Sequence, residues 1–89
     1  MIKAIQIIVI GKVQGVGFRY YTQKRAQQYE VRGYVQNKAD GSVYIEAEGK
    51  ESDIKALADW CQRGPAWSRV KEVKVSEIPE MGFSDFEVR

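Results

Sequence analysis

Histidine is absent from this 89-residue chain. Its absence removes the usual general base near neutral pH and the commonest metal ligand. It also rules out Ser-His-Asp and Cys-His nucleophiles. Cysteine occurs once, as Cys61, so no internal disulfide can form, and there is no zinc-ligand spacing. A reducing compartment, the cytoplasm, is expected. Long apolar runs are also missing. Ala4–Ile10 is short, is broken by Gln6 and precedes no small-residue cleavage pattern, so it reads as a strand and not as a signal peptide. Nothing approaches the roughly 18 apolar residues of a membrane span. The net charge of +2 is too small by itself to argue for nucleic acid.

What remains describes one small globular domain, residues 1–89, with 44% hydrophobic and 29% charged residues. A chain of this size buries only about 60–65% of the surface its unfolded form exposes. That leaves no room for a second domain or a large cofactor cleft. The charge is unevenly spread. Residues 1–37 carry six basic side chains against Glu30, and residues 40–60 carry six acids against Lys50 and Lys55. A basic first third can draw in a small anion.

Hydrophobic periodicity orders the chain. Lys3–Ile10 sets Ile5, Ile7 and Val9 on one face and further isoleucines on the other, which suits a central strand. From about Tyr20 to Tyr29 no Gly or Pro interrupts, and Phe18, Thr22, Ala26 and Tyr29 form one helical stripe. Val31–Lys38 reads as a strand, Asp40-Gly41 as a tight turn and Ser42–Glu48 as a returning strand. In that strand Val43, Ile45 and Ala47 face the core, while Tyr44, Glu46 and Glu48 face water. Ser52 is placed as the N-cap of a second helix with Ile54, Leu57, Ala58 and Cys61 buried, ended by Gly64-Pro65. Val73 and Val75 mark another strand, and Phe86 and Val88 a short final one. Trp60 and Trp67 read as structural, and Cys61 as a packed small hydrophobe. The order β-α-β-β-α-β, plus a C-terminal edge strand, predicts an α+β fold. It is the ferredoxin-like split βαβ sandwich, with two helices on one face of an antiparallel or mixed sheet. The strands that precede the first loop and end near Asn37 are taken as neighbours.

Chemistry concentrates in Gly11-Lys12-Val13-Gln14-Gly15-Val16-Gly17-Phe18-Arg19. Glycines leave backbone N–H groups uncovered, and a helix N-terminus adds more of them with a partial positive charge, so the loop suits a phosphate-sized anion. Arg19 adds a planar fork able to grip two phosphate oxygens. The loop is neither a P-loop, since Val16-Gly17 stand where Gly-Lys is required, nor a dinucleotide fingerprint, since Tyr20 replaces the third glycine. Phe18 is expected to lock the loop from below. Asp40, Glu46 and Glu48 read as ordinary acids and not as a Mg²⁺ cluster. By spacing alone, Asn37 is a turn residue beside Asp40-Gly41.

The segment Gly11 to Arg19, with Gly33-Tyr34-Val35-Gln36-Asn37-Lys38-Ala39-Asp40-Gly41-Ser42-Val43 and Gly49 beyond it, resembles the two signature motifs of the acylphosphatases in residue type and spacing. The helix end Trp60 to Pro65 and the terminal Phe86-Glu87-Val88-Arg89 extend the resemblance over the whole chain. One departure is Glu30, where the family often has a helix-capping glycine.

The resemblance implies hydrolysis of carboxyl-phosphate mixed anhydrides to a carboxylate and inorganic phosphate, without metal or other cofactor. It assigns the phosphoryl group to Gln14, Gly15, Val16, Gly17, Phe18 and Arg19, and the positioning of the attacking water to Asn37. Arg19 and Asn37 are the expected catalytic residues. The expected partners are a small acyl phosphate and its phosphate product, with no nucleic acid and no membrane, and a monomer is expected. One alternative is an accessory domain that binds carbamoyl or acyl phosphate without independent turnover. Ending at Arg89, just past a complete fold, favours a free-standing enzyme. A more distant alternative is an RNA-binding module of the same layout, which Arg32-Gly33-Tyr34-Val35 resembles only at its start.

Overall fold

Isoleucines on both faces place the first strand in the middle of a sheet, where neither face meets water freely. The computed structural model describes Met1–Arg89. Strand β1 (Ile2–Lys12) is followed by helix α1 (Phe18–Gln28), β2 (Arg32–Asn37), β3 (Val43–Lys50), α2 (Glu51–Cys61), β4 (Arg69–Ile78) and β5 (Phe86–Val88). The five strands run in the order β4-β1-β3-β2-β5. All neighbours are antiparallel except β2 and β5, which pair in parallel. Helix α1 packs over β2 and β5, and α2 over β1, β3 and β4. The split βαβ sandwich with its C-terminal edge strand is therefore the observed architecture.

One core lies between the helices and the sheet. Ile7, Val9, Val35, Val43, Ile45 and Ala47 meet Phe18 and Ala26 of α1 and Ile54, Leu57, Trp60 and Cys61 of α2. The rings of Phe18 and Trp60 lie 5.4 Å apart and tilted. Burial pushes the Cys61 thiol up to about 12, so it stays protonated and packs as a small hydrophobe.

Several details depart from the sequence reading. Both helices begin earlier than expected, α1 at Phe18 and α2 at Glu51. Lys50, not Ser52, occupies the N-cap of α2, with no side-chain cap bond; Glu51 and Asp53 supply negative charge to that first turn instead. Trp60 replaces Ala58 in the buried stripe. Trp67, expected to be structural, is 81% exposed, because it follows the turn that ends α2 and points away from the core.

Glu48 was expected in water but is buried. The segment between β4 and β5 folds over its face of the sheet. There the Glu48 carboxylate accepts N–H groups from Met81 (3.3 Å), Gly82 (3.0 Å) and Phe83 (3.3 Å). A carboxylate so satisfied is a structural clasp, and no group of acids or thiols suited to a metal ion forms around it.

The end of α1 shows how the missing glycine is tolerated. Glu30 adopts φ 58°, the left-handed region. The Glu30 N–H donates to the Gln27 carbonyl (3.2 Å) and the Val31 N–H to the Ala26 carbonyl (2.8 Å). This is a Schellman closure, and buried Val31 and Ala26 supply its hydrophobic contact. Left-handed backbone costs a side-chain-bearing residue about 1–2 kcal/mol, and glycine gives back about 0.5–1 kcal/mol in chain entropy. Glu30→Gly is therefore expected to stabilise the fold by about 0.5–1 kcal/mol. Thermal unfolding should show a Tm higher by a few degrees; an unchanged or lower Tm would mean that the strain is relieved elsewhere.

Candidate active site

Leaving β1, the chain must cross to α1 on the far side of the sheet. β1 and β2 are not neighbours, contrary to expectation, because β3 lies between them. The loop from Val13 to Gly17 therefore passes the end of β3. Gln14 fastens it there: its Nε2 donates to the carbonyls of Lys38 (2.7 Å) and Ser42 (2.9 Å) in the β2–β3 turn. That turn is itself held by Asp40, whose Oδ1 accepts from the Ser42 N–H (2.9 Å) and Oγ (2.6 Å). These bonds keep the Asp40 carboxyl below the usual carboxylate range. Val13 and Phe18, both about 1% exposed, anchor the two ends of the loop in the core.

Between those anchors the backbone turns left-handed at Gly15 (φ 74°) and Gly17 (φ 82°). Gly17 is the N-cap of α1. None of the backbone N–H groups from Gly15 to Arg19 donates to another backbone group, so they are available to a ligand. The first turn of α1 contains no acidic side chain, in contrast to α2. The positive end of its dipole is left for an external anion.

Arg19 stands in this first turn. Its Nη1 donates to the main-chain oxygen of Arg89, the last residue (3.0 Å). Arg89 is held in turn by its N–H, which donates to the Val35 carbonyl of β2 (2.7 Å). Asn37 ends the same strand. Its Oδ1 is buried and has no hydrogen-bond partner. A buried acceptor that no protein group bonds calls for a water or ligand as its partner.

Arg19 and Asn37 line one cavity of about 290 Å³, together with Val13, Gly15, Gly17, Phe18, Tyr20 and Val88. Of the loop residues singled out by sequence, Gln14 and Val16 do not line it: Gln14 fastens the loop from outside, and Val16 packs against the core. Lys38 lies over the Tyr44 ring at 4.7 Å. Val13, Tyr20 and Val88 were not assigned to the site beforehand. Val88 had no sequence signal, because only the parallel pairing of β5 with β2 brings it there. Tyr20 is half-exposed, yet it forms part of the wall.

Fold and cavity together define a class: small α+β sandwiches with a cavity suited to a compact anion at the N-terminus of their first helix. Comparison with known proteins narrows it. The family model described as acylphosphatase matches residues 5–88. An acylphosphatase of Leuconostoc mesenteroides is 44% identical over 98% of this chain and 98% of its own. The solved structure of an acylphosphatase from Coxiella burnetii is 38% identical and superposes with a TM-score of 0.96 over 99% of this chain and 93% of that one. A region of full-length HypF, in its phosphate- and nucleotide-bound form, matches all of this chain at 36% identity and TM-score 0.89, but this covers only 12% of HypF. The chain belongs to the acylphosphatase family and is an enzyme of acyl phosphate hydrolysis.

Proposed function

We propose that Arg19 and the backbone of residues 15–19 hold the phosphoryl group of an acyl phosphate, and that Asn37 positions the water that attacks it. The observation that carries this reading is the unpaired, buried Asn37 Oδ1 in the cavity that Arg19 also lines. An acceptor oriented by its strand can take one proton of a water in a hydrogen bond and aim the oxygen lone pair at phosphorus. The new P–O bond forms as the P–O bond to the acyl group breaks, and the electron pair leaves with the carboxylate. The loop N–H groups and the guanidinium meet the charge on the equatorial oxygens. The water proton passes to a phosphoryl oxygen. Arg19 and Tyr20 are the only ionisable side chains lining the cavity, so no side chain there supplies a carboxylate or imidazole base. A good leaving group makes one unnecessary.

The whole set of charge-stabilising groups belongs to the chain itself. Phosphate release from benzoyl phosphate is therefore expected to proceed at the same rate with and without excess EDTA. Loss of activity with the chelator and its return with Mg²⁺ would overturn the metal-free proposal. The match to HypF keeps the accessory-domain alternative in view; multiple turnovers of benzoyl phosphate by this chain decide against it.

The same reading extends to partners and compartment. On the outer sheet face the aromatic rings are already engaged: Tyr34 packs with Tyr44 (6.1 Å between centroids) and Phe83 (5.9 Å), and the Tyr44 hydroxyl donates to Glu46 (2.7 Å). A carboxylate among these rings opposes nucleic acid. The edge strand β4 carries Lys71, Glu72, Lys74 and Glu77, charges that discourage pairing with a second copy and so support a monomer. No helix is long and apolar enough to cross a membrane. The single free cysteine supports the cytoplasm.

A further inference from the structure

We propose that Tyr20 and Val88 form an acyl subsite that favours acyl phosphates with a planar, apolar acyl group over acetyl phosphate. The inference rests on the hydrolase reading above and specifies its substrate class. The phosphoryl end of the cavity is set by Arg19 and the glycine backbone. The remaining wall is apolar: Val13 and Phe18 are buried beneath, whereas Tyr20 and Val88 are 54% and 42% exposed. The buried pair cannot offer its surface to a ligand, and the exposed pair can.

Geometry puts the acyl group near them. In-line attack sends the leaving carboxylate away from the water, and hence away from Asn37. Asn37 ends β2, whereas Tyr20 follows Arg19 on α1; Val88 ends β5, which pairs with β2 at Val35. A group leaving away from Asn37 thus moves toward Tyr20 of α1, with Val88 on the adjoining sheet edge. The Tyr20 ring is oriented rather than loose. Tyr21 meets it edge-on at 5.1 Å between centroids, and the Lys24 ammonium lies 5.4 Å from its centre. A ring held by these two neighbours yet half-exposed presents its free surface with little further loss of entropy, which is the condition under which an aromatic contact contributes binding. An acetyl group is too small to cover either side chain, while a benzoyl group can cover both.

The test is substrate discrimination, measured as the ratio of kcat/KM for benzoyl phosphate to that for acetyl phosphate. In Tyr20→Ala this ratio is expected to fall about fivefold, the size of one aromatic contact, and chiefly through KM for benzoyl phosphate. Tyr20→Phe should keep the wild-type ratio, because the ring and not the hydroxyl makes the contact. Val88→Ser should lower the ratio in the same direction by a smaller factor. Equal losses on both substrates in Tyr20→Ala would mean that Tyr20 only supports the helix start, and would overturn the subsite. An unchanged ratio would overturn it too. If the wild-type protein hydrolyses neither substrate, the hydrolase reading itself fails, and the subsite with it.

Discussion

Arg19→Lys is expected to lower kcat/KM for benzoyl phosphate by about 10²–10³-fold, the range seen when one preorganised charge-stabilising donor is removed. The positive charge survives in this variant, so the loss isolates geometry. In the native protein one guanidinium nitrogen is committed to the main-chain oxygen of Arg89 at 3.0 Å. That bond locks the plane of the fork while its other N–H groups remain for phosphate oxygens. A lysine ammonium is a single point at the end of a flexible stem and cannot satisfy that oxygen and chelate an anion together. Steady-state rates with benzoyl phosphate, alongside circular dichroism to verify folding, measure the effect. Near-wild-type turnover in a folded Arg19→Lys protein would show that charge alone suffices and that the assigned fork is idle.

Asn37→Ala separates positioning from binding. The carboxamide is proposed to touch the water and not the phosphate, so kcat should fall about 100-fold or more, the scale of a lost orientation. Competitive inhibition by inorganic phosphate should change less than about threefold, since the loop and Arg19 remain. Stability should change little, because no protein group bonds the Asn37 Oδ1 and only the packing of the side chain is lost. The variant is therefore expected to unfold close to the wild-type temperature while being nearly inactive. Weaker phosphate inhibition with normal kcat would transfer Asn37 from water to phosphate. A marked drop in Tm would mean that the Asn37 carboxamide holds the β2–β3 turn.

Of the two candidate catalytic residues, Arg19 is legible locally because it closes a glycine loop at a helix start, whereas Asn37 reads by spacing as a turn residue and is singled out only by the family resemblance. The glycines could be read as left-handed positions from sequence because no other residue enters that region cheaply, and φ of 74° at Gly15 and 82° at Gly17 agree. Glu30 stands out only against the family pattern, and its φ of 58° is the left-handed value that a capping glycine would take there. Gln14 was read as part of the phosphate loop, yet its side chain ties that loop to the β2–β3 turn, across 24 residues of sequence to Lys38. No local pattern encodes a bond of that span. Glu48 was assigned to water by strand alternation, a rule that assumes an open face; the segment Met81–Phe83 closes it.

From its amino-acid order alone this chain determines its secondary elements, its left-handed turns, the absence of a histidine base and the presence of an anion-seeking helix start. These follow from backbone sterics, hydrophobic period and side-chain chemistry, all of which act over a few residues. Strand order was settled only in three dimensions. With β3 inserted between β1 and β2 and β5 laid beside β2, an arginine, a carboxamide and the wall of Tyr20 and Val88 come to one cavity. The physical reason is that such pairing is chosen by burying one continuous core, a property of the whole chain that no single segment carries.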